Sequence, residues 1–137
     1  MEMTTPERSD LSPAAEVSWL AIRQPAVIRF LESRLFTEDG DALAAGLELS
    51  ERLLAQIERA DGMPCARLHI RQLDYGVAAH MNGTGDTALS DWAWRQLDRL
   101  PIVLEAIEAR RVVACVAAIL GAALEMRAID ADDVRVE

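Results

Sequence analysis

The 137-residue sequence contains no lysine, only two cysteines and only six aromatic residues, and each shortage limits what the protein can be. Cys65 and Cys115 lie fifty positions apart inside predicted helices, so we expect free, buried thiols of a reduced protein rather than a disulfide framework. Strands favour aromatic and β-branched residues, whereas the apolar residues here are mostly alanine and leucine, which favour helices. The composition therefore predicts an all-α protein.

Basic residues are also scarce, since fourteen arginines oppose 23 acidic residues and the net charge is −9. Such a surface repels polyanions, whereas direct nucleic-acid binding depends on basic patches. The N-terminus lacks the basic start and apolar core of a secretion signal. The longest apolar run, thirteen residues, is shorter than the roughly 20 that span a bilayer. We therefore expect a soluble, cytoplasmic protein with no direct nucleic-acid or membrane partner.

That apolar run, residues 112–124, is the second half of a segment, residues 101–127, around which the rest of the chain must be arranged. A helix without a polar side chain on any face must be covered on every face. The first half is amphipathic, with Leu104 and Ile107 expected to face the core. The segment predicts a central, buried helix. Its small residues let neighbouring helices approach closely, and they are Ala114, Ala117, Ala118, Gly121 and Ala122.

Helical periodicity and end signals predict further helices over residues 12–23, 26–36, 41–60 and 88–100. Residues 41–60 give the clearest pattern, because an apolar face lies opposite a charged one. Such a helix covers a core on one side and meets solvent on the other. Each of these helices is therefore expected to contribute one face to the burial of the central helix.

One domain is expected, and it should span residues 11–129. We predict a compact orthogonal or irregular bundle of about six helices around the central C-terminal helix. Residues 1–10 are polar and without periodicity, so they are expected to form a disordered lead-in. Residues 130–137 are expected to form a short acidic tail.

The segment between the third helix and residue 81 fits two different periods. A helix beginning at Pro64 places Ile70 and Val77 on one apolar stripe that extends over about 16 residues. Alternating residues over 66–72 instead fit a strand, which would pair with residues 133–136 and make the class α+β. The helix is preferred because its stripe is longer, and the strand is the alternative.

No motif for nucleophilic catalysis, zinc-dependent hydrolysis or phosphate transfer is present, so we expect no enzyme. Ser90 is not interpreted as a nucleophile, because its predicted place is the first turn of a helix, where serine is common. Cys65 and His69 stand at i, i+4, and on a helix they could share a metal, but they supply two ligands at most. His80 lies eleven residues beyond His69, or about 16 Å of helical rise, so it joins them only if the helix bends at Gly76. We expect no metal or cofactor, with Cys65 and His69 as the alternative ligands.

The pair Trp92 and Trp94 is the most suggestive functional feature. Two positions apart on a helix, their side chains point about 200° apart, so if Trp92 packs inward then Trp94 faces outward. Tryptophan is enriched at the centres of protein interfaces, although another helix of the same chain could also cover it. The predicted interaction site consists of Trp94 and its charged neighbours on the same helix, Asp91, Asp98, Arg95 and Arg99. Arg110 and Arg111 could add to a local positive patch, which an Asp91–Arg95 pair at i, i+4 would partly neutralise.

These features favour a non-catalytic, acidic, helical interaction protein that binds another protein. Its class would be a small bacterial or phage-type adaptor, inhibitor or immunity factor, and its charge favours a basic or nucleic-acid-binding partner protein. A homodimer is a further candidate, because a second copy could help to cover the central helix. The alternative function is a helical bundle that holds a small ligand or metal in its interior. Candidate residues for that function are Cys65, His69, His80, Cys115 and Tyr75.

Overall fold

The computed structural model describes residues 19–37 and 39–136, with side chains described as far as Arg127. Every regular element in this part of the chain is a helix, which confirms the all-α prediction, and the proposed strand pairing of residues 66–72 with 133–136 is wrong. The predicted lead-in, residues 1–10, lies outside the described residues. The helices are residues 19–23 (α1), Pro25–Leu35 (α2), Asp41–Asp61 (α3), Ile70–Met81 (α4), Thr87–Asp98 (α5) and Ala106–Val136 (α6).

Helix α6 is the centre of the bundle and contacts α2, α3, α4 and α5. All eight side chains of residues 112–119 are buried, which confirms the central apolar helix. Beyond residue 119, Leu120 and Gly121 are only partly buried and Leu124 is 38 % exposed. The expectation that the whole run to residue 124 is covered on every face was therefore wrong at these three residues. The backbone of α6 then continues as helix to Val136, through most of the acidic segment that follows the apolar run.

Small residues bring the neighbouring helices close to α6. A Cβ atom built on Gly76 of α4 would lie 3.0 Å from the Cβ of Ala118, which is tighter than ordinary packing contact. A Cβ atom on Gly121 would lie 3.2 Å from Cδ1 of Leu89 in α5. The predicted close approach is therefore present on two sides of α6.

The start of α6 differs from the prediction. The helix begins at Ala106 rather than near Pro101, and residues 102–105 are not helical. Ala109 is buried, whereas Ile107 is 58 % exposed, so the expectation that Ile107 faces the core was wrong. Leu104 is partly buried but lies before the helix, so the helical spacing that was expected to place Leu104 and Ile107 on one inward face is absent.

The connection from α3 to α4 is also not the helix that was predicted from Pro64. Residues 64–69 are non-helical, and α4 begins only at Ile70. Three of their backbone groups bond to side chains from other parts of the bundle. Gln24 is 1 % exposed, and its Nε2 donates to the carbonyl oxygen of Ala66 at 2.9 Å while its Oε1 accepts from the backbone N–H of Leu68 at 3.0 Å. These two hydrogen bonds hold the segment extended, as a neighbouring strand would.

Glu58 of α3 holds the beginning of the same segment. Its Oε2 accepts a hydrogen bond from the backbone N–H of Cys65 at 2.9 Å and forms an ion pair with Arg23 at 2.8 Å. Buried or half-buried backbone groups need such partners when they lie outside regular structure. Side chains near the start of the bundle and in α3 thus replace the intrahelical hydrogen bonds that residues 64–69 lack.

Throughout the part of the chain that the structure describes, no helix combines the length and the apolar content needed to cross a bilayer.

Replacing Gln24 with methionine tests the hydrogen bonds to residues 66–68. The substitution keeps the side-chain volume but removes the amide group that bonds to the backbone of Ala66 and Leu68. Each buried backbone group left unpaired costs about 1–3 kcal/mol. We expect the free energy of unfolding in urea to fall by about 2–4 kcal/mol. Gln56→Met, on the exposed face of α3, should change it by less than about 0.5 kcal/mol. Equal effects of the two substitutions would contradict a structural role for Gln24.

Candidate functional site

Helix α5 presents its two tryptophans to different environments. Ala93 and Leu97 are buried and fix the inner face of the helix. Trp92 is partly buried and packs against the core, whereas Trp94 remains 38 % exposed. The structure therefore confirms that Trp92 packs inward and that Trp94 lies on the outer side.

Trp94 lies at a groove where three helices meet, and we call this cavity of about 180 Å³ the Trp94 groove. Helix α4 contributes its last turn, α5 its middle, and α6 its second and third turns. None of the lining residues is acidic. They are His80, Met81, Ser90, Trp94, Arg110, Val113 and Ala114.

A hydrogen bond between α4 and α5 fixes one wall of the groove. Nδ1 of His80 lies 3.1 Å from Oγ of Ser90. The imidazole also packs against the turn between these helices, because a Cβ atom on Gly85 would overlap with the ring. Ser90 lies in the first turn of α5, as predicted. Its hydroxyl contacts His80 of another helix, and no local pattern predicts this contact.

The pKa of His80 is lowered from its ordinary value of 6.5, mainly because burial penalises the charged imidazolium. The carboxylate of Asp86 acts in the opposite direction and raises the pKa. Asp86 caps α5, where its Oδ1 accepts from the backbone N–H of Ala88 at 2.9 Å. Within the described residues no carboxylate hydrogen-bonds to His80, so the His80–Ser90 pair lacks the third group that orients the base in a nucleophilic triad.

Arg110 gives the groove its charge. Arg110 is exposed, and in the described part of the chain it has no ion-pair or hydrogen-bond partner. It lies in the second turn of α6, close to the positive end of the helix dipole. A guanidinium has only hydrogen-bond donors, so the groove offers an unneutralised cationic group beside an aromatic ring.

The other predicted interaction residues are exposed on α5, but they do not line the groove. They are Asp91, Arg95, Asp98 and Arg99. The expected Asp91–Arg95 pair does not form, although Glu48 and Arg52 at the same spacing on α3 make an ion pair at 2.6 Å. The arginines near Trp94 are therefore not neutralised by their predicted partner.

Two exposed apolar residues extend the surface around Trp94. Met81 lines the groove from α4 and is exposed. On α6, Ile107 lies three residues before Arg110 and seven before Ala114, so the three share one face of the helix. Met81 and Trp94 line the groove together and are both exposed, and we call the surface that they form the Trp94 surface. Neither Met81 nor Ile107 is predicted at a surface from the sequence, because both fit the apolar stripes of their helices.

The alternative metal site at Cys65 and His69 does not have the expected geometry. Both residues lie in the non-helical segment, so the i, i+4 arrangement on a helix is absent. Burial and the nearby carboxylates of Glu58 and Asp61 raise the pKa of the Cys65 thiol to about 11. A protonated thiol is a poor metal ligand at neutral pH. Among the residues with described side chains, no three His, Cys, Asp or Glu are grouped to hold a metal ion.

The remaining candidates for an interior ligand site are not brought together. Cys115 is buried in α6. Tyr75 is 81 % exposed on α4, and His69 is exposed at the start of that helix. His80 alone lines a groove, and that groove opens at the surface.

Comparisons with protein-family models, with curated proteins and with solved structures find no match to this chain. Its function must therefore be inferred from its own residues.

The protonation of His80 can be measured by NMR. We expect its Cε1 proton to titrate with a pKa below 6.5, and Asp86→Asn should lower that pKa further because it removes the favourable carboxylate but keeps a capping side chain. The unfolded chain then binds the proton at a higher pH than the folded one. The free energy of unfolding should accordingly fall as the pH drops below about 6.5. A pKa above 6.5 in the native protein, or a rise in the Asp86→Asn variant, would contradict the burial argument.

Proposed function

We propose that this chain is a non-catalytic interaction protein that binds another protein through the Trp94 surface. The observation that carries the proposal is the position of Trp94, held 38 % exposed at the mouth of a groove between three helices. A large aromatic side chain beside a pocket is the usual anchor of a protein interface. Its neighbour Met81 is exposed as well, and apolar residues that lie together at a surface indicate a binding site.

The charges near Trp94 define the partner. The exposed arginines Arg95 and Arg99 are matched in number by the exposed carboxylates Asp91 and Asp98. Arg110 lines the groove without an acidic neighbour and has no ion-pair partner among the described residues, so a carboxylate of the partner would neutralise it. The proposed partner is therefore a protein that presents an apolar side chain beside an acidic residue.

The net charge of −9 favours a basic partner, but such a partner would be attracted to a part of the chain other than the Trp94 surface. The described side chains include twelve arginines and fourteen carboxylates, a net charge of −2. The other seven negative charges belong to residues 1–18, Glu38 and residues 128–137. Attraction of a basic or nucleic-acid-binding protein is thus a second candidate function, carried by the ends of the chain rather than by the Trp94 surface.

A second copy of the chain is not needed to cover α6. Residues 112–119 are buried by the helices of a single chain, so the reason for expecting a homodimer no longer applies. If the protein dimerises, the Trp94 surface is the candidate interface. We place the protein in the cytoplasm, in the class of adaptors, inhibitors and immunity factors, and its two free thiols fit a reducing compartment.

Trp94→Ala tests the interface once a partner has been isolated from the native host and purified. Truncation of an anchor residue costs about 2 kcal/mol or more, so calorimetry should give an affinity at least about 30-fold weaker. Tyr75→Ala removes a more exposed aromatic ring from α4, outside the groove, and should change the affinity less than about twofold. Unchanged affinity in the Trp94→Ala variant, or equal losses in both variants, would overturn the proposal. Light scattering of the isolated chain at two concentrations identifies a second copy as the partner.

A further inference from the structure

The Trp94 groove combines one cation, one hydroxyl and an apolar wall in a small volume. Arg110 supplies five guanidinium donors, and Ser90 supplies a hydroxyl that is positioned by its hydrogen bond to His80. Trp94 and Val113 supply apolar contact area on the other sides. At about 180 Å³, the groove has room for one side chain or a small molecule, and not for a folded segment.

The guanidinium of Arg110 favours a ligand that carries a carboxylate. A guanidinium accepts no hydrogen bond, and its planar fork matches the two oxygens of a carboxylate. No lining residue competes for it, because none of them is acidic.

The size and charge of the groove argue against polyanionic ligands. A single arginine lines it, and the chain as a whole carries a charge of −9, which repels nucleic acid. A monoanion with an apolar stem satisfies both the arginine and the apolar wall. An aspartate or glutamate side chain has this composition.

From this geometry we infer that the Trp94 groove is a carboxylate-binding subsite that takes one acidic side chain of the partner protein. The carboxylate pairs with Arg110, and the methylene groups pack against Trp94 and Val113. This inference rests on the proposed function of the Trp94 surface and specifies what its partner must present at the centre of the interface.

The acidic end of the same chain does not fill this groove. Asp130 lies twenty residues beyond Arg110 on the continuous helix α6, which corresponds to about 30 Å of rise. A helical backbone cannot fold back over that distance. The carboxylates at that end of the helix are therefore excluded as the ligand.

The subsite is tested on the full-length protein with hexanoate and its neutral analogue hexanamide as probes. In ¹H–¹⁵N NMR titrations, hexanoate should produce saturable shifts of the Trp94 indole N–H and the Ser90 amide, with a dissociation constant in the millimolar range. Hexanamide should bind at least about fivefold more weakly, because it lacks the charge that Arg110 neutralises.

Arg110→Gln should abolish the difference between the two probes, whereas Arg111→Gln, an exposed neighbour outside the groove, should leave it unchanged. Circular dichroism melting checks that both variants are folded. Equal binding of hexanoate and hexanamide to the wild-type protein, or hexanoate binding that survives Arg110→Gln, would overturn the inference.

The same variants separate this inference from the proposed function. If Trp94→Ala weakens partner binding but Arg110→Gln leaves it unchanged, the interface is correct and the carboxylate subsite is wrong. If hexanoate binds through Arg110 but Trp94→Ala does not affect the partner, the subsite exists and does not serve the proposed interface. Loss of partner affinity in both variants, with competition by hexanoate, is the result that we expect.

Discussion

The fold depends on one requirement, which is that eight consecutive side chains of α6, residues 112–119, must all be kept from water. A helix with a single apolar face can lie at a surface, but a helix apolar on every face needs neighbours on every side. Helices α2, α3, α4 and α5 each supply one face to it. Full burial of one valine or isoleucine side chain stabilises the folded state by about 1.5–3 kcal/mol. An exposed ion pair such as Arg34–Asp74 contributes about 0–1 kcal/mol, so burial decides the arrangement.

The connection between α3 and α4 is a consequence of this arrangement. To place α4 against α6, the chain must pass from the end of α3 without continuing as helix, and residues 64–69 do so with their backbone groups bonded to Gln24 and Glu58. The same placement brings the last turn of α4 beside α5 and the start of α6. The Trp94 groove is formed where these three helix segments meet. The candidate site is therefore a product of the core packing rather than of any local motif.

Local patterns predicted much of this structure. The helix over residues 41–60 was predicted within one residue of Asp41–Asp61, because its amphipathic period and its end signals at Asp41 and Gly62 are all local. The opposite environments of Trp92 and Trp94 also follow from the fixed angle between residues of one helix. Residues 64–69 were predicted wrongly, because the side chain that holds them extended comes from Gln24, more than forty positions away.

The groove could not be predicted for a similar reason. His80, Trp94 and Arg110 belong to three helices, and only the packing of all three against one another brings their side chains together. Ile107 was expected in the core since its apolar side chain continued the stripe of α6. Leu104 lies in the non-helical residues before α6, so the helical spacing that linked Ile107 to Leu104 is absent.

Native-state hydrogen exchange tests the central burial of α6 most directly. If the other helices are arranged to cover residues 112–119, these amides can exchange only when the whole protein unfolds. Their opening free energies should then equal the free energy of global unfolding measured in urea and should be the highest in the chain. Exchange of these amides through a lower-energy opening, while α3 or α4 remains protected, would contradict the role of α6 as the covered centre of the fold.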